Sequence, residues 1–138
     1  MRFGIYIIME NNSDTNDTDV EIDRLRQVLN NKINQKKNEI HPSFHNKIYN
    51  NSLQQEIDCL KWILGQTNTT INQRQIIQIN KIEDIVQKEL DKLEITLTTK
   101  PLSIRKRDMF IIYTDILQWV LYVIHSIKEK GVHWQFNI

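Results

Sequence analysis

Alanine is absent from this chain of 138 residues, and glycine occurs only at Gly4, Gly65 and Gly131. Glycines so scattered exclude a phosphate-cradling loop, which needs several within a short window. Without small side chains, helices cannot approach one another closely and are expected at the wide end of the packing range. Cysteine occurs once, as Cys59. That excludes an intrachain disulfide and points to a reducing cytoplasm, not to a disulfide-stapled secreted scaffold. An excess of either charge is also missing: Lys and Arg total 18, Asp and Glu 17. Net charge therefore gives no push toward nucleic acid, an anionic membrane or an acidic substrate. The start, MRFGIYIIME, holds a short apolar run with one arginine. It lacks the length and small-residue cleavage site of a secretory signal.

What the chain does have is apolar residues at helical spacing. From Ser103 to Lys130, Met109, Ile112, Ile116, Trp119, Val120, Val123 and Ile127 form one face, while Phe110, Leu117, Leu121 and Ile124 form a second. A helix apolar on so many sides must be buried by several neighbours. Asp108, Asp115, Gln118, Tyr122, His125 and Glu129 line one narrow polar side. The carboxylate of Asp115, near the centre, would be costly in lipid, so no membrane span is expected.

Three further stripes precede it. Residues 10–19 are polar and acidic and read as a flexible stretch. Thr18 and Glu21 form a capping box ahead of Ile22, Leu25, Val28, Leu29 and Ile33. Pro42 disfavours helix at His41, which makes 41–51 a loop. Ser52 and Gln55 form a second box before Leu53, Ile57, Leu60 and Leu64, with Gly65 where a left-handed C-cap is wanted. Thr70 and Gln73 form a third, before the unbroken series Ile76, Ile79, Ile82, Val86, Leu90, Leu93 and Leu97. The expected fold is all-α: a four-helix bundle built on a long antiparallel helical hairpin, 71–97 and 103–130. Residues 1–17 form a short apolar segment and acidic stretch, and 18–138 a single helical domain. Phe3, Ile5 and Ile7 near the start, and Val132, Trp134, Phe136 and Ile138 at the end, alternate with other residues. Two arrangements fit that pattern: a short terminal β-ribbon, or an apolar tail tucked against the bundle.

Function is less legible. Lys100, Arg105, Lys106 and Arg107 crowd the first turns of the last helix, where the helix dipole favours acids. Such a cluster can hold an anion or an acidic partner surface, or can be a solvated turn balanced by Asp108 and by Asp91 or Glu94. A second basic stretch, Arg24, Arg26, Lys32, Lys36 and Lys37, has no aromatic residue interleaved for base stacking. His41 and His45 are four apart, but in a loop and without paired cysteines, so no metal and no cofactor is expected. Asp115, Tyr122 and His125 share one helix side, yet no nucleophile or oxyanion loop accompanies them, and the chain reads as non-enzymatic. Cys59 reads as a small buried hydrophobe.

The aromatic residues Trp62, Tyr113, Trp119, Tyr122, Trp134 and Phe136 exceed what one stripe per helix hides, and exposed aromatics mark interfaces. The sequence therefore points to a helical interaction or assembly module in the cytoplasm. Its partner is a protein or a second copy, as a homo-oligomer or as a small subunit of a complex. The alternative is a nucleic-acid or anion-binding accessory protein using the basic turn 100–107. With a net charge near zero, nucleic acid is the less expected partner.

Overall fold

The computed structural model describes residues 10–42, 46–68, 70–72, 75–76, 78–133 and 135, with side chains described from Val20 onward outside the ribbon. Four helices carry the fold: α1 (Glu10–Glu39), α2 (Lys47–Gln66), α3 (Ile79–Thr99) and α4 (Ile104–Lys130). Between α2 and α3 lies a small antiparallel ribbon, β1 (Thr70–Asn72) with β2 (Gln75–Ile76), in which Thr70 faces Ile76 and Asn72 faces Gln75. The fold is the expected all-α bundle.

α1 packs on α2 and α3 on α4, as two antiparallel hairpins, and α2 lies against α4 to join them. The start of α2 meets the start of α4, so those two helices run parallel. The middle of α1, at Val20, Asp23, Arg24 and Gln27, lies beside Val132 and His133 just after α4. The periodic apolar residues meet in one core. It is formed by Ile22, Leu25 and Leu29 of α1, Ile57, Leu60 and Ile63 of α2, Ile82, Val86 and Leu90 of α3, and Leu117, Val120 and Ile124 of α4. Among the described residues α4 is the one helix long and apolar enough to cross a membrane. Here it is the helix against which the other three pack, and its polar side, from Asp108 to Glu129, is exposed as the spacing predicts.

Helix starts differ from the sequence expectation, each for a local reason. Residues 10–19 are helical backbone continuous with α1. Once the packed part of α1 exists, each added residue costs little, and acids suit the positive end of the dipole. The Thr18–Glu21 box therefore lies inside the helix. Ser52 also lies inside, because α2 starts at Lys47. Asn50 ties that first turn down: its carboxamide accepts from the His41 amide at 3.1 Å and donates to the His41 carbonyl. The Tyr49 hydroxyl donates to Glu39 at 2.9 Å.

The expected helix 71–97 begins only at Ile79, because Thr70–Ile76 pairs as the ribbon. The run TTINQRQII is rich in β-branched residues on both sides of a polar turn, and strand propensity wins over the capping signal there. Gly65 is helical and no C-cap; α2 ends on Thr67 in right-handed geometry. Ser103 caps α4 as expected, its hydroxyl accepting from the Lys106 amide at 3.2 Å. The expected pairing of the two termini falls on residues 1–9 and on Trp134, Phe136 and Ile138, which lie outside the described residues.

Candidate functional site

The core stops short of one end of the bundle. Its outermost buried residues there are Ile33 on α1, Leu53 on α2, Leu93 on α3 and Thr114 on α4. Beyond them project the last turns of α1 and α3 and the first turns of α2 and α4. At the opposite end burial runs to the termini of α2, α3 and α4: Ile79 is the first residue of α3, Thr67 follows the last of α2, and Ile127 is in the last turn of α4. The chain thus has a sealed end and an open one.

Apolar side chains stand uncovered on the open end. Ile48 is 84% exposed, Ile104 80%, Ile95 62% and Ile111 44%. A groove of about 930 Å³ separates the first turns of α2 from those of α4, with Ile48, Met109 and Ile112 as its apolar lining. Arg105, Lys106 and Asp108 line the α4 side, and Ser52 and Gln55 the α2 side.

Lys100, Arg105, Lys106 and Arg107 are all exposed on this end. Among the described residues none of the four comes within ion-pair distance of a carboxylate. The balancing by Asp108, Asp91 or Glu94 is not found as a contact; Asp91 instead accepts from Gln87 at 2.9 Å. Arg107 donates to the Leu97 carbonyl at 3.4 Å, closing the α3–α4 turn. The others extend into water.

Three cations of the second basic stretch are engaged by neighbouring helices. Arg26 donates through Nε to the Thr67 hydroxyl at 3.1 Å and through Nη2 to the Thr67 carbonyl at 2.5 Å. Lys36 pairs with Glu56 at 2.8 Å. The Lys32 ammonium lies 5.2 Å from the Trp119 ring centroid. Burial, foremost, and the charge of Lys36 press its pKa below the ordinary lysine value.

The aromatic residues do not form one patch. Trp62 of α2 and Tyr113 of α4 line one pocket, Trp119 lies half-buried under Lys32, and Tyr122 stands on the exposed stripe of α4. Trp134 and Phe136 lie outside the described residues. Asp115, Tyr122 and His125 share the solvent-exposed side of α4, where His125 bonds to Glu83, and Lys128 also reaches Glu83 at 2.9 Å. His41 is exposed in its loop, and His45 lies outside the described residues. Among the described residues no cluster of three His, Cys, Asp or Glu side chains is placed to hold a metal ion.

Cys59 is buried, its thiol 4.0 Å from the Tyr113 carbonyl. Burial, with the charge of Glu89 behind it, pushes that thiol up to about 12. It lies at the floor of a pocket of about 240 Å³ shared by α2, α3 and α4, with Asp58, Trp62, Glu89, Leu93, Tyr113 and Leu117. Sequence reading missed both this pocket and the exposed isoleucines. A helical wheel drawn to the bundle's real axis would have placed Ile104 and Ile111 on the water side of α4. The meeting of Asp58 with Glu89 depends on how two helices align, and no local signal carries it.

No protein-family model matches this chain, and no curated protein or solved structure matches it either.

Proposed function

We propose that this chain is a non-enzymatic helical interaction and assembly module, and that its open end is the docking surface. The observation that carries this reading is the core's stopping short there while isoleucines remain in water. Burying one such side chain contributes roughly 1.5–3 kcal/mol, so Ile48, Ile104 and Ile111 together represent substantial unused binding energy. The occupant is a second copy. Residues 10–23 contain six acids and no cation, at the start of α1 and so at the sealed end. This stretch of sequence and the cations at 100–107, which make no ion pair among the described residues, belong to opposite ends of the bundle, so a contact between them joins two molecules head to tail. A contact of that kind does not pair a surface with itself, and its assemblies grow with concentration unless they close as rings. Apolar burial provides the affinity, and the charged turn sets orientation.

Light scattering coupled to size exclusion, at low and high salt, tests it. The expected result is a mass that rises with concentration at both salts and returns to one chain in Ile48→Ser/Ile104→Ser. A monomer at every concentration and salt overturns self-assembly.

The second reading, an anion- or nucleic-acid-binding accessory protein, is favoured by the lack, among the described residues, of any ion pair at the four cations. It predicts binding of a short oligonucleotide that falls steeply with salt and disappears when Lys100, Arg105, Lys106 and Arg107 are neutralised. Indifference of the assembly to those four charges, with no oligonucleotide bound, removes it.

A further inference from the structure

We propose that the pocket between α2, α3 and α4 is a binding site for a small alkylammonium ion, with a short apolar chain inserted and the charged head at its mouth. The site lies away from the open end and does not depend on the docking reading. Three features of its lining specify the ligand. Its deep residues, Cys59, Leu93 and Leu117, are buried and offer no charge. Its mouth carries two carboxylates, exposed Asp58 from α2 and half-buried Glu89 from α3. Between floor and mouth stand the rings of Trp62 and Tyr113.

Among the described residues no cation pairs with these carboxylates. Asp58 accepts from the Gln54 amide at 2.9 Å, a neutral donor, and among the described residues Glu89 has no hydrogen-bond or ion-pair partner. Their charge is felt inside the pocket. Tyr113 is raised by burial and then by the field of Asp58, and Cys59 by burial and then by the field of Glu89. A negative field over aromatic faces attracts an organic cation twice, through Coulomb attraction and through the ring quadrupoles. It repels a carboxylate or phosphate. An inorganic cation would leave the apolar floor unfilled. The volume, about 240 Å³, lies below that of drug-sized sites, which limits the ligand to a few carbons beyond its nitrogen.

The test compares three probes of one chain length, n-hexylammonium, n-hexanol and hexanoate, by amide NMR titration of the whole chain. Hexylammonium is expected to shift resonances within 58–62, 89–93 and 113–117, at least tenfold more tightly than hexanol, with hexanoate silent. The double substitution Asp58→Asn/Glu89→Gln keeps the shape and reduces the preference for hexylammonium over hexanol to within threefold. Trp62→Leu weakens the ammonium more than the alcohol. Equal affinity for hexanol and hexylammonium in the native chain would mean a packing void without cation selectivity and would overturn the proposal. So would a preference unchanged by the double substitution, or shifts confined to other residues.

Discussion

Replacing Arg26 with methionine removes one guanidinium and keeps most of the apolar stem, so its effect measures a single tie between α1 and the end of α2. Thr67 is fully buried, and Arg26 bonds to both its hydroxyl and its carbonyl. Hydrogen bonds from a charged donor contribute roughly 1.5–3 kcal/mol, and a buried carbonyl left without a partner costs a similar amount. The exposed neighbour Asp23, 3.1 Å from Arg26, adds at most about 0.5 kcal/mol. The Arg26 side chain is 29% exposed, which lets water replace part of what is lost. A net loss of about 2.5 kcal/mol follows. At roughly 2.1 cal/mol/K per residue the unfolding entropy of this chain is about 0.29 kcal/mol/K, so Tm falls by about 9 °C. Circular dichroism melts, with urea titration at 25 °C, provide the measurement. Thr67→Val in the same background completes a cycle, and about 1 kcal/mol of coupling is expected from the hydroxyl alone. A Tm within 3 °C of the native value, or a cycle with no coupling, would refute the clamp.

The glycines respond in opposite directions. Gly65 is exposed inside α2 with nothing within 4 Å of an added Cβ, so Gly65→Ala should raise stability by about 0.5–1 kcal/mol in urea denaturation. Gly131 caps α4 at φ 93° and ψ 166°, where a side chain is strained, so Gly131→Ala should cost roughly 1–3 kcal/mol in the same assay. The Cys59 thiol, pushed up to about 12, should react with an aromatic disulfide reagent at pH 8 at less than about one-hundredth of the rate of free cysteine; labelling at the free rate would contradict its burial. Glu83 is held below its ordinary 4.5, first by the bond from Lys128. Its contribution is complete above pH 4.5 and is lost as the pH falls through the lowered value. Glu83→Gln should therefore cost about 0.5 kcal/mol at pH 7 after solvent screening, a cost that disappears as the pH falls through the lowered value.

Periodicity was readable wherever burial alone decides. Ile22, Leu25, Val28 and Leu29, or Val120, Val123 and Ile127, recur at three and four residues because one face meets the core, and all are buried. Helix starts were less readable because a capping pattern reports only what a side chain is able to do. Ser103 caps, but Ser52 has a full turn of helix ahead of it, which Asn50 ties to His41 in the loop. Thr70 entered a strand because its neighbours pair with Gln75–Ile76, a contact the capping pattern does not contain. The basic turn was visible as a cluster, whereas its lack of partners depends on where α3 and α4 place their acids. The aromatic count pointed to uncovered rings, and their placement differs one by one: Trp62 and Tyr113 line a pocket, Trp119 supports Lys32 and Tyr122 is exposed, while Ile48 and Ile104 are the most exposed large apolar side chains among the described residues.

The asymmetry of the two ends follows from how the hairpins join. With α2 parallel to α4, the first turns of both helices lie at the same end, beside the last turns of α1 and α3. There the helices run on past their outermost buried residues, Ile33, Leu53, Leu93 and Thr114, with exposed side chains. At the opposite end Ile79, Ile127 and Thr67 bring burial up to the helix termini, and Arg26 ties α1 to the end of α2. A stable fold thus requires only the lower part of each stripe to pack. The isoleucines beyond Leu53 and Thr114 do not contribute to that core, and Ile48→Ser or Ile104→Ser should leave Tm almost unchanged. If either lowered it by as much as a buried-core substitution, the exposed end would be part of the folding unit and the docking surface would have to lie elsewhere.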